Sequence, residues 1–222
     1  MIRLTKNPQP KILADNAANW TTALTDKHAR GEEPTNAEKT KYRHPQVKAA
    51  LVNETSGKCA YCESKLLHIH HGDVEHIYPK SLAMEKTFEW ENLTLACERC
   101  NQNKSDNDPL IESIIDPYNI DPAVHLVFMG SLIFDLGTPH GISTTEMLDL
   151  NRGELVERRK EQLEKIMGIY RTLLRTDIPL AARRAIYKNL LANEGDKNAP
   201  YTAMALQAID QMANKIPMEV TS

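Results

Sequence analysis

Apolar residues recur every three to four positions through Ile12, Leu13, Ala17, Trp20 and Leu24. That spacing predicts an amphipathic helix from Ile12 to about Ala29. Pro8 and Pro10 precede it, and a polar turn follows at Gly31-Glu32-Glu33-Pro34. Thr35-x-x-Glu38 has the form of a capping box and predicts a short helix. Pro45 suits the first turn of the next helix, which carries Val47, Ala50 and Leu51 on one face and would stop at Gly57. Cys59 to about Tyr78 reads as a cysteine knuckle and a two-stranded hairpin turning at His71-Gly72. A short helix is expected over about Glu98–Asp106, after which Pro109, Pro117 and Pro122 interrupt the pattern. Val124–Met129 and Leu132–Leu136 form a second hairpin around Gly130-Ser131. The chain is helical from Thr145. Asn151-x-x-Glu154 caps a long helix to about Arg175, with Leu155, Leu163, Ile166 and Tyr170 inward. Two more helices follow over about Pro179–Asn193 and Pro200–Ala213. The expected fold is mainly α with a small ββα unit, an α+β arrangement. Its regions are a helical 1–57, a core at 58–107 and a hairpin-plus-helix region at 108–222.

With 222 residues, 41% of them hydrophobic, the chain can bury one good core. No apolar run approaches the roughly 20 residues of a membrane helix. The N-terminal MIRLTKNPQP lacks the apolar stretch of a secretory signal, so a cytoplasmic protein is expected. Thiols stay reduced there, which favours metal ligation over disulfides. A net charge of −3 argues against a generic nucleic-acid binder. The charge is uneven, however. Residues 151–190 hold ten Lys/Arg and five Asp/Glu, a local +5 against −8 elsewhere. Within that stretch Arg158, Arg159 and Lys160 read as a solvated face, with phosphate binding as the alternative.

All four cysteines fall in two pairs, Cys59-x-x-Cys62 and Cys97-x-x-Cys100, with 34 residues between them. Each C-x-x-C turn delivers two thiolates, and four complete a tetrahedral zinc site. Such a site has no open position for chemistry, so the zinc would be structural. Tyr61 and Trp90 would pack around it. His68, His70 and His71 read as a solvated hairpin edge rather than a second metal site.

Three further features lie between and beside the cysteines: Asp73-Val74-Glu75-His76-Ile77-x-Pro79, Trp90-Glu91-Asn92-Leu93 and Asn101-Gln102-Asn103-Lys104-Ser105-Asp106. Phosphodiester hydrolysis needs a base near neutral pH, which imidazole supplies, and charge relief, which a hard divalent ion supplies. Adjacent strand residues point to opposite sides, so Glu75 and His76 share a site only if the strand ends or twists there, as Pro79 allows. Over about residues 58–107 the segment resembles the HNH, or ββα-metal, endonucleases with zinc knuckles. The resemblance implies His76 as general base, Asn92 as the residue that orients its ring, and Glu75 and Asn101 as ligands of a catalytic Mg2+ or Mn2+. The family more often has Asp at position 75 and His at position 101. Asp73 is a supporting candidate, and Lys104 is either a phosphate contact or an exposed helix lysine. The bland readings are a core histidine for His76, a turn residue for Asn92 and a helix cap for Asn101.

The flanks carry "PQVKAALVNETSGKCAYCES", "GDVEHIYPKS", "IDPYNIDPAVHLVF" and "LDLNRGELVERR". These runs resemble the PtuB family of Septu-type antiphage systems, including its retron-linked relatives. That resemblance implies an effector nuclease in complex with an ATPase of the ABC/SMC-like class. The chain itself has no G-x-x-x-x-G-K-[ST] phosphate loop. Its first helix either docks a partner or packs on its own domain. DNA is the expected substrate, structured RNA such as tRNA the alternative, and a non-catalytic zinc-dependent binding module the rival reading.

Overall fold

The computed structural model describes residues 1–66 and 72–221. His68, His70 and His71 lie outside the described residues, as does part of the hairpin expected at His71-Gly72. The chain is mainly helical, with two small antiparallel sheets. Helix α1 (Lys11–Ala29) leads to α2 (Asn36–Lys39), a one-turn helix (Lys41–Arg43) and α3 (Pro45–Glu54). The capping box at Thr35 is complete. The Glu38 N–H donates to the Thr35 hydroxyl, and the Thr35 N–H donates to the Glu38 carboxylate at 2.8 Å. Past α3, Ser56 and Gly57 both take positive φ, and the Gly57 N–H donates back to the Val52 carbonyl at 2.7 Å.

The central unit is strand β1 (Asp73–His76), strand β2 (Leu93–Ala96) and helix α4 (Glu98–Lys104). The pairing partner of β1 differs from the expected local hairpin. It pairs with β2 across a long loop, with Asp73 opposite Ala96, Glu75 opposite Thr94 and His76 opposite Leu93. Both faces of β2 are buried, so it is a core strand with no polar alternation to reveal it. The second sheet is the expected hairpin, β3 (Leu126–Met129) with β4 (Leu132–Asp135).

Five helices follow: α5 (Pro139–Met147), α6 (Gly153–Leu173), α7 (Leu180–Glu194), α8 (Thr202–Ala213) and α9 (Met218–Thr221). The sequence pattern missed the start of α5. Thr138 caps it by accepting from the Gly141 N–H, and Pro139 opens it. Asn151 does not cap α6. Its side chain pairs with both backbone groups of Ile133, accepting at 2.9 Å and donating at 2.7 Å, as a third strand would.

One hydrophobic cluster draws from all three expected regions, including Leu13, Leu24, Leu51, Trp90, Leu95, Phe128 and Leu155. The apolar stripe of α1 is therefore occupied by its own domain, with Ile12, Ala17 and Trp20 packed against this core. A second cluster joins α6 to α9 through Ile166, Leu173, Leu190, Ile209 and Val220. Among the described residues no helix is long and apolar enough to cross a membrane.

Candidate active site and metal centre

Strand β1 ends at His76, as a shared role for Glu75 and His76 requires. Both side chains line the same two adjoining cavities, of 640 and 370 Å³, together with Asn101 from α4. Lys104, one turn beyond Asn101, fixes the strand end. Its ammonium lies 3.0 Å from the Glu75 carboxylate and donates to the His76 carbonyl at 2.9 Å. Only 1% of Lys104 is exposed, so it is neither an exposed helix lysine nor placed to contact a phosphate. Packing under β1 takes the ammonium away from solvent.

The His76 ring is 5% exposed and stands edge-on to Tyr42, with ring centroids 4.5 Å apart. Its Nε2 pairs with the Thr87 carbonyl at 3.0 Å. A carbonyl accepts only, so Nε2 carries the hydrogen and the Nδ1 lone pair is left available. Burial pulls the imidazole pKa down to about 4, and the charges of Lys80, Lys104 and Arg43 push the same way against the Thr87 contact. At neutral pH the ring is an uncharged base. Burial also pushes the Glu75 carboxyl up, with Lys104 opposing.

Asn92 has no direct hydrogen bond to this ring; its hydrogen bonds go to the loop behind it. Its amide oxygen accepts from the Tyr78 N–H at 2.7 Å. Its amide nitrogen donates to the Tyr78 and Lys86 carbonyls at 2.9 and 3.2 Å. Asn92 thus ties both ends of the loop that presents the Thr87 carbonyl. Asn101 donates its amide nitrogen to Asp73 at 3.1 Å, leaving its oxygen for another partner. Glu75 and that oxygen could hold a hard divalent cation, which readily completes its shell with water and phosphate.

The four cysteine sulfurs lie within 4.8 Å of one another, an arrangement that could hold one metal ion. Tetrahedral zinc thiolates imply sulfurs about 3.8 Å apart, and Cys62 and Cys97 are 3.9 Å apart. The first knuckle closes through a Lys58–Lys65 bridge, and its Ala60 N–H donates to the Leu95 carbonyl of β2 at 2.8 Å. The second opens α4, where the Cys97 sulfur accepts from the Cys100 N–H at 3.3 Å. Tyr61 and Trp90 are buried beside this unit, as expected.

Sequence reasoning missed two residues here. The Arg152 guanidinium lies 3.8 Å from the sulfurs of Cys97 and Cys100. Burial disfavours its charge, and the sulfurs more than offset this, so its pKa is raised. Tyr42 is the other, and its only signal was an aromatic in a basic run. Arg159 is not on a solvated face. It is fully buried, donating to the Leu150 carbonyl at 2.7 Å and stacking over Phe128.

Residues 59–107 match the family model described as HNH endonuclease. The chain is 27% identical to a Septu protein PtuB from Bacillus mycoides (strain KBAB4), covering 75% of this chain and 74% of that protein. It is 32% identical to a Septu protein PtuB from Bacillus thuringiensis over 49% of this chain and 42% of that protein. Residues 59–107 are an HNH endonuclease domain, and the chain resembles PtuB.

Proposed function

We propose that this chain, a nuclease by its HNH domain, hydrolyses nucleic-acid backbones by metal-assisted attack of water. DNA is the first substrate, the setting is cytoplasmic antiphage defence, and an ABC/SMC-like ATPase is the partner. The observation that carries the mechanism is the neutral His76 ring with its Nδ1 lone pair available beside Glu75 and the Asn101 oxygen. His76 takes the proton from the attacking water at Nδ1. Donation from Nε2 to the Thr87 carbonyl holds the ring and stabilises the imidazolium as it forms. Asp73 accepts from the Asn101 amide nitrogen, so the amide oxygen is the atom that would hold the cation. Mg2+ or Mn2+ held by Glu75 and Asn101 would relieve charge on the phosphate and leaving oxygen. Asn92 is a positioning residue that acts through the loop bearing Thr87. Zinc is the proposed ion for the four cysteines. The ATPase partner rests on the PtuB resemblance, and the net charge of −3 is consistent with a subunit that engages nucleic acid within a complex.

The test is cleavage of plasmid DNA and of bulk tRNA with Mg2+ or Mn2+, alone and with the ATPase subunit. His76→Ala is assayed beside wild type. Cleavage lost in a folded, zinc-loaded His76→Ala protein is the expected result. Equal cleavage by that variant would remove His76 from the chemistry, and cutting of tRNA alone would move the substrate to RNA.

A further inference from the structure

A polyanion in the cleft needs countercharge, and the cations that the sequence pattern offered for it are mostly engaged elsewhere. Lys104 and Arg159 are buried, and Arg158 pairs with Glu161 at 3.0 Å on the outer face of α6. Three other cations line the 370 Å³ cavity that holds Glu75, His76 and Asn101, namely Arg43, Lys48 and Lys80. Arg43 and Lys80 are exposed and Lys48 is half-buried. Among the described residues none of the three has a carboxylate within ion-pair distance. By contrast Lys6, Lys27, Lys39, Lys58 and Lys165 each do.

All three are held by neutral groups. The Lys80 ammonium lies 3.4 Å from the Tyr42 hydroxyl and 5.2 Å from its ring centre, and the Arg43 guanidinium is 5.5 Å from that centre. Lys48 donates to the Gly72 carbonyl. Tyr42 is 2% exposed and packs against His76, so one ring sets the placement of two cations relative to the base. The charges of Lys80 and Arg43 are felt at the imidazole, where both oppose protonation. Asp73 and Glu75 line the same cavity and attract Lys48 and Lys80 at longer range, yet gathering three cations without a direct ion pair costs folding energy through like-charge repulsion. In a chain of net charge −3 they concentrate positive potential at the cavity that holds Glu75, His76 and Asn101.

We infer that Arg43, Lys48 and Lys80 form a phosphate clamp that grips the nucleic-acid backbone beside the scissile bond, an inference that rests on the nuclease reading above. Lys80 also lines the 640 Å³ cavity, so it sits at the junction of the two. It lies nearest the reacting phosphate, while Arg43 and Lys48 take phosphates on one side only.

The test measures binding of a labelled single-stranded oligonucleotide by the full chain carrying His76→Ala, in Mg2+, across a salt series. Each phosphate neutralised on a single strand contributes about 0.7 to the slope of log affinity against log salt. Adding Arg43→Gln, Lys48→Gln and Lys80→Gln together should lower that slope by about 2. Adding Arg158→Gln and Lys160→Gln instead should leave it unchanged. The gap between the two sets is the signature, because loss of fold would not separate them when both melt alike. An unchanged slope in the triple variant, a slope lost with Arg158→Gln and Lys160→Gln, or no binding by the parent at low salt would each overturn the clamp. These failures are separable from failure of the nuclease reading, which shows as cleavage that survives His76→Ala.

Discussion

Burial and three neighbouring cations keep His76 unprotonated, and this has a cost that pH exposes. Its folded pKa is about 4, below the 6.5 of an unperturbed imidazole. Between those values the unfolded chain binds a proton that the folded chain refuses, so stability falls as pH falls from 6.5 towards 4. In metal-free protein His76→Ala should flatten that part of the stability curve, which denaturant unfolding at stepped pH would reveal. An equal slope in both proteins would mean that other groups dominate the acid limb. Glu75 and Lys104 make a second residue-scale case. Lys104→Met leaves a buried carboxylate and the His76 carbonyl without their donor, and should destabilise the fold by about 3–5 kcal/mol. Pairing it with Glu75→Gln removes the orphaned charge and should recover much of that loss, yet the double variant should not cleave. Urea titrations of the two variants, read against cleavage, separate the stabilising role of the pair from the metal-binding role proposed for Glu75.

In the proposed mechanism the loop between β1 and β2 acts only through His76. Asn92 bonds Tyr78 and Lys86, and the residue after Lys86, Thr87, accepts from the His76 ring. Asn92→Ala strands buried backbone groups and should destabilise by about 1–3 kcal/mol. It should lower kcat more than it weakens Mg2+ binding, since its side-chain hydrogen bonds go to Tyr78 and Lys86 and not to Glu75 or Asn101; titrating activity against Mg2+ would test the split. Much of this element layer was legible beforehand. The α1 stripe, the Thr35 capping box and the β3–β4 hairpin each announce themselves through local chemistry. The β1–β2 pairing did not, because β2 is buried on both faces and its partner lies across a loop. Asn151 misled for a related reason. Asn-x-x-Glu is a cap by its local sequence, but Ile133 offered its amide a better pair of partners. The four clustered cysteines, Glu75, His76 and Asn101 were visible as motif residues. Arg152, Tyr42 and the cations around them were not, since convergence in space leaves no spacing to read.

At the scale of the whole molecule, α6 joins the core that holds the cysteine cluster to a second core. The amino-terminal half of α6 places Leu155 in the core that surrounds the cysteines, and its later turns place Ile166 and Leu173 in the core of α7 to α9. Arg152, just ahead of α6, sets its charge against the sulfurs. With the proposed zinc bound, four thiolates on a divalent ion would leave a net negative centre, and the arginine and the metal site would stabilise one another. Removing the metal would leave four clustered thiols and a half-buried guanidinium without its counter-charge. Both tryptophans, Trp20 and Trp90, belong to the first core, so their fluorescence reports on that half alone. Chelation, or Cys97→Ala, should release one zinc per chain and shift tryptophan emission to the red. Helical circular dichroism should fall only in part, because the second core contains neither the cysteines nor Arg152. If emission and helicity instead collapse together at one chelator concentration, α6 transmits the loss throughout and the two cores fold as a single cooperative unit. If the zinc-free protein keeps its emission and melting point, the cysteines do not stabilise the HNH unit.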